Sequence, residues 1–116
     1  MLLYKGGGKA LRFDPEAVFS EDIKKPEKTK KKLNSGKSLL NLYVVSLRDD
    51  FKNPEIYRTL QFRQKNFPTD TLNVIGVFKS EDEALEFIRN LSELALTESG
   101  ELDFKEGFNK LKGASL

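Results

Sequence analysis

Six lysines fall within nine residues: Lys24, Lys25, Lys28, Lys30, Lys31 and Lys32, interrupted by the single acid Glu27 and followed by Lys37. An ammonium group that sits on a phosphate releases the counterion condensed there, so such a run can hold nucleic acid or another polyanion. Its chemistry would be charge neutralisation. Arginine, whose planar fork reads base edges and pairs phosphates bidentately, is missing from the run. So are the interleaved aromatics on which single strands stack. The same residues also suit a solvated connector, because Pro26, Asn34, Ser35 and Gly36 break regular structure.

A second candidate surface lies downstream. Tyr57, Thr59, Gln61, Arg63 and Lys65 alternate with Leu60 and Phe62. On an extended strand they would form one polar, partly basic face. That face suits an edge strand guarded by lysine. It equally suits a sheet face that grips a nucleic-acid backbone, with Tyr57 as a stacking platform. The candidate nucleic-acid-binding residues are therefore Lys24, Lys25, Lys28, Lys30, Lys31, Lys32, Lys37, Tyr57, Arg63 and Lys65.

Catalytic chemistry has little to work with. The chain has no histidine and no cysteine, which removes the commonest general base, the thiolate nucleophile and the usual transition-metal ligands. Gly6, Gly7 and Gly8 before Lys9 suggest a phosphate loop, but no hydroxyl follows the lysine and the next segment alternates like a strand. Ser35, Gly36, Lys37 and Ser38 imitate the end of a nucleotide-binding loop, yet Lys31 stands where its first glycine belongs. Asp49, Asp50 and Glu55 carry no metal-ligand spacing. Residues 99–106 resemble half of a calcium loop, but Ala95 occupies the first ligand place. We assign no catalytic residue, no metal and no cofactor, and expect a protein that is not an enzyme.

The elements that must position these residues centre on 72–100. Leu72, Val74, Ile75, Val77 and Phe78 form an apolar, β-branched run that reads as a buried strand. Ser80 with Glu83 three residues on has capping-box spacing, and Glu81 and Asp82 add charge favoured at a helix start. Ala84, Phe87, Ile88, Leu91, Leu94 and Ala95 recur at helical steps, and Gly100 is a natural stop. Phe104, Phe108 and Leu111 predict a second amphipathic helix behind the cap spacing of Asp103 and Glu106, weakened by Gly107. Leu39, Leu40, Leu42, Tyr43, Val44, Val45 and Leu47 form a second, nearly continuous apolar strand that belongs in the middle of a sheet. A short turn at 66–71 predicts that the Tyr57 strand pairs antiparallel with the Leu72 strand. Upstream, two strand-like pieces flank the three glycines, and Asp14, Pro15 and Glu16 read as a helix start ending near Ile23, ahead of Pro26.

With 116 residues the chain has room for one domain. Residues 1–38 carry ten Lys/Arg against five Asp/Glu, while residues 39–116 carry ten against thirteen. Basic character therefore belongs to the front third and acidic character to the remainder. We divide the chain into an N-terminal hairpin and short helix (1–23), a Lys-rich connector (24–38) and a main α+β unit (39–116). The expected fold is a mainly antiparallel sheet of three to five strands with helices on one face. The expected core is Leu42, Val44, Leu60, Phe62, Val74, Ile75, Val77, Phe78, Leu85, Ile88, Leu91 and Phe108. No apolar stretch approaches the roughly 20 residues of a membrane helix, and the first residues do not read as a signal peptide. The expectation is a cytoplasmic monomer or homodimer. Its function is binding: either a nucleic-acid accessory factor that uses the lysine arm, with DNA or RNA as partner, or a protein-interaction module in which the lysines are a mere linker.

Overall fold

A computed structural model describes residues 11–34, 41–48, 53–63 and 71–114. Residues 1–10 of the glycine-joined hairpin, the 35–38 motif, Lys37, Asp49, Asp50 and Lys65 lie outside the described residues. The chain is α+β. Four strands, β1 (Arg12–Phe19), β2 (Tyr43–Ser46), β3 (Glu55–Arg58) and β4 (Asn73–Phe78), form one sheet in the order β1-β4-β2-β3. The β2–β3 and β2–β4 pairs are antiparallel, and β1–β4 is parallel. Three helices complete it: α1 (Pro26–Asn34), α2 (Glu81–Ala95) and α3 (Phe104–Ala114). Among the described residues no helix is long and apolar enough to cross a membrane.

The two apolar strands take the two inner places, where both faces are covered. The face bearing Val45, Leu47, Ile75 and Phe78 packs under α2 and α3, against Phe87, Leu91, Ala95, Phe104 and Phe108. The opposite face bears Val44, Val74 and Val77 and packs with Leu11, Leu33, Leu42 and Leu72. Leu33 belongs to α1, so a helix stands on this second face as well. In β4 the register skips a residue. Val45 pairs with Gly76 and Ser46 with Val74, which leaves Ile75 as a bulge. A side chain at Gly76 would come within 2.6 Å of the Phe78 ring and 3.3 Å of Phe87. The absent side chain thus lets Phe78 lie across the strand, its ring centre 5.1 Å from that of Phe87.

Helix α2 begins as its spacing predicts. Ser80 is the N-cap, and its Oγ accepts from the Glu83 amide at 3.1 Å. The Glu83 carboxylate then accepts from the hydroxyl of buried Ser20 at 2.9 Å, bolting the end of β1 to the helix start. A tight loop carries α2 into α3. Thr97 N donates to Glu101 O at 2.8 Å, Gly100 turns with φ 88°, and Asp103 Oδ1 caps the Glu106 amide at 3.1 Å. Residues 99–106 are thus the end of a helix connection and the first turn of α3, closed by their own hydrogen bonds.

Four expectations need correction. The first is the helix expected from Asp14, which is strand β1 instead. Asp14 Oδ1 accepts from the Glu16 amide at 2.9 Å, making a turn around Pro15 that bulges out of the edge strand between the Phe13–Val74 and Val18–Gly76 pairs. Proline is tolerated there because an edge bulge asks for no ladder hydrogen bond. The second is the strand expected through Lys65, which stops at Arg58 and gives way to a 3₁₀ turn, Thr59–Arg63. Gln61 Oε1 takes the Arg58 amide at 2.8 Å, and Thr59 exchanges two bonds with Leu42, so local side-chain bonds replace the ladder. Leu60 is consequently 40% exposed, and Leu85, on the outer side of α2, is 50% exposed; neither belongs to the core. The third is the pairing of the Tyr57 strand with the Leu72 strand: β2 lies between them, since it is the strand with two apolar faces to bury. The fourth is the connector, which contains helix α1.

Candidate nucleic-acid interface

Helix α1 forms because Pro26 occupies its first position, where a preset φ helps and no N–H is required. Thr29 N donates to Lys25 O at 3.1 Å, closing the first turn. Glu27 sits in that turn and Lys31 and Lys32 in the last, each on the side of the helix dipole that favours its charge. Nine residues make a marginal helix in isolation, so its anchors matter. Leu33 is buried in the second core, and Asn34 Oδ1 accepts from the Leu11 amide at 2.6 Å.

The six lysines separate into two kinds. Lys30 turns inward. Its ammonium lies 5.7 Å from the ring centres of both Phe13 and Phe19 and 3.0 Å from Glu27 Oε2. It is a structural residue that pins α1 over the edge strand β1. Lys24, Lys25, Lys28, Lys31 and Lys32 are exposed. Lys28, Lys31 and Lys32 stand three and four residues apart, so they share the outward side of α1, and Lys24 and Lys25 are exposed in the chain just ahead of it. Five of the predicted residues are therefore exposed on α1 and just ahead of it, and Lys30 is partly buried.

Tyr57 lies on the same sheet face but at the other edge. Three strand spacings, about 14 Å, separate β3 from β1. Tyr57 is half-buried and tilts against Phe62 with ring centres 6.4 Å apart. Burial raises its pKa above the usual tyrosine value. A hydrogen bond to the Glu55 carboxylate and the charge of Glu55 push the same way, and Arg48 opposes them. Glu55 in turn sits 3.4 Å from Arg48 Nε, and Arg48 Nη1 donates to Thr71 Oγ1 at 3.2 Å. The Glu55 carboxylate is therefore part of a clamp across the end of the sheet. Among the described residues no group of three or more His, Cys, Asp or Glu is arranged around a metal position. The backbone of Arg63 closes the 3₁₀ turn rather than continuing the strand.

Sequence reasoning missed α1 and the inward turn of Lys30. A signal was present: Pro26, Lys30 and Leu33 recur at four and three residues, a helical stripe with one apolar anchor. Six lysines and a single leucine hid it. No family model, curated protein or solved structure matches the chain.

Proposed function

We propose that this protein is a non-catalytic binding protein that holds nucleic acid on the lysine surface of α1. The observation that carries this reading is the sorting of the lysines. Lys30 docks the helix, Lys28, Lys31 and Lys32 are exposed on that anchored helix, and Lys24 and Lys25 are exposed just ahead of it. A solvated linker would have no reason to fix the helix on a buried leucine and an asparagine bond. Charges held on a docked helix lose less freedom when they meet phosphates than charges on a floppy arm.

The test is binding of a labelled DNA duplex, with a variant in which Lys24, Lys25, Lys28, Lys31 and Lys32 are all glutamine and Lys30 is kept. Five phosphate contacts predict that affinity falls on the order of 500-fold between 50 and 200 mM salt. The variant should lose that binding while melting as a folded protein. Absence of binding at low salt would reject the proposal.

A second reading, a protein-docking module, is supported by one feature. Leu96 and Leu102 pair across the α2–α3 loop and are 56% and 48% exposed. Docking there would respond weakly to salt and would be lost when both leucines are replaced by serine.

A further inference from the structure

Among the described residues, the aromatic rings shown against α1 are already engaged. Phe13 and Phe19 lie beneath the Lys30 ammonium. Tyr57, at the other edge of the same face, packs on Phe62, and its hydroxyl is held by Glu55. Proteins that bind single strands gain much of their affinity by stacking bases on open aromatic faces. Along α1 such a face would have to be uncovered first, by breaking the contacts that dock the helix.

Base reading is equally ill served. The side chains that discriminate bases in a groove are chiefly arginine, asparagine and glutamine, through bidentate bonds. The exposed residues of α1 are Glu27, Lys28, Lys31, Lys32 and Asn34. Asn34 spends its oxygen on the Leu11 amide, and Glu27 is paired with Lys30. Lys28 and Lys31 present ammonium groups, which act as point charges toward phosphate. A duplex offers them the densest target, one negative charge per roughly 1.7 Å of helix axis.

We infer that the lysine surface of α1 grips the phosphate backbone of a nucleic-acid duplex irrespective of its sequence, and that it prefers a duplex to a single strand. The inference rests on the proposed function above and adds the form of the ligand.

The experiment is a competition. The full chain binds a labelled 20-base-pair duplex, and the competitors are a second duplex of unrelated sequence, each separated strand, and a duplex RNA. Salt is varied in every case. The two DNA duplexes should compete equally within about twofold, and the separated strands should compete at least fivefold less well. The duplex slope of log affinity against log salt should be about −4.5, from five phosphates, and Lys28→Gln with Lys31→Gln together should reduce it by about 2. Single strands that compete better than duplex, or tenfold discrimination between the two duplexes, would overturn the inference. Either result, combined with loss of binding in the lysine variant, would leave the proposed nucleic-acid function standing. Failure of every nucleic acid to bind would instead remove that function and this inference with it.

Discussion

Ala95 stands where a side chain on Gly107 would have to go. A Cβ on Gly107 would lie 2.9 Å from both Cα and Cβ of Ala95 and 3.0 Å from its nitrogen. These two small residues let α2 and α3 touch backbone to backbone beside the loop that joins them, and the Asp103 amide seals the corner by donating to Ala95 O at 2.9 Å. Gly107 lowers the intrinsic helicity of α3, but it permits the approach on which the second helix depends.

Gly107→Ala should therefore destabilise the protein, although alanine is the better helix former. A gain of about 1 kcal/mol in propensity is set against an overpacking cost of roughly 1–3 kcal/mol, and the obstacle is backbone, which cannot rotate away. Gly113→Ala is the control, since open space surrounds that position. It should be neutral or stabilising by up to about 1 kcal/mol. Urea unfolding of the two variants checks the pair, and equal midpoints would refute the close-approach account.

Lys30 and Lys28 should behave oppositely. Lys30→Gln removes two ring contacts and the Glu27 pair, so α1 should open more often. With each of the two cation–π contacts worth about 0.5–1 kcal/mol at an exposed site, amide exchange across α1 should quicken about five- to thirtyfold. Its salt-dependent slope for duplex binding should not change. Lys28→Gln should leave exchange alone and lower the slope by about 1. Exchange measured by NMR alongside binding separates the two roles.

Thr59 replaces a lost piece of ladder. Its backbone amide donates to Leu42 O at 2.9 Å, and its buried hydroxyl accepts from Leu42 N at 3.0 Å. Thr59→Val keeps the shape and removes the acceptor. An amide left unpaired in this setting costs about 1–3 kcal/mol, so the thermal midpoint should fall, and exchange at Leu42 should rise more than elsewhere.

Tyr57 should make the protein more sensitive to alkali. Its folded pKa is raised by burial and by Glu55. The unfolded chain therefore releases this proton first as the pH climbs, and the stability linked to it is fully present below about pH 10 and lost as pH rises through the folded value. Unfolding free energy measured from pH 8 upward should decline less steeply in Tyr57→Phe than in the parent. Glu55→Gln should bring the tyrosine titration, followed by absorbance, back toward its ordinary range.

What the sequence determined by itself was whatever depended on neighbours three or four residues apart. The start of α2 at Ser80 and Glu83, the stripe of Ala84, Phe87, Leu91 and Ala95, the cap at Asp103, the turn at Gly100 and the central place of the strand at 39–47 all follow from local pattern, and all are realised. The lysines could be named as candidates on the same terms. Tertiary structure decided what local rules leave equal. Asp14 and Pro15 can open a helix or kink an edge strand, and pairing of Phe13 and Phe19 with Val74 and Val77 selects the strand. Pro26 can end one helix or begin another, and with β1 extended upstream it begins one. The lysine run can be linker or helix, and burial of Leu33 with the bond from Leu11 to Asn34 selects the helix. In each case the deciding partner lies far away in sequence, 23 residues for Asn34 and Leu11, and strand pairing and core burial are the interactions strong enough to overrule a local preference worth about a kcal/mol.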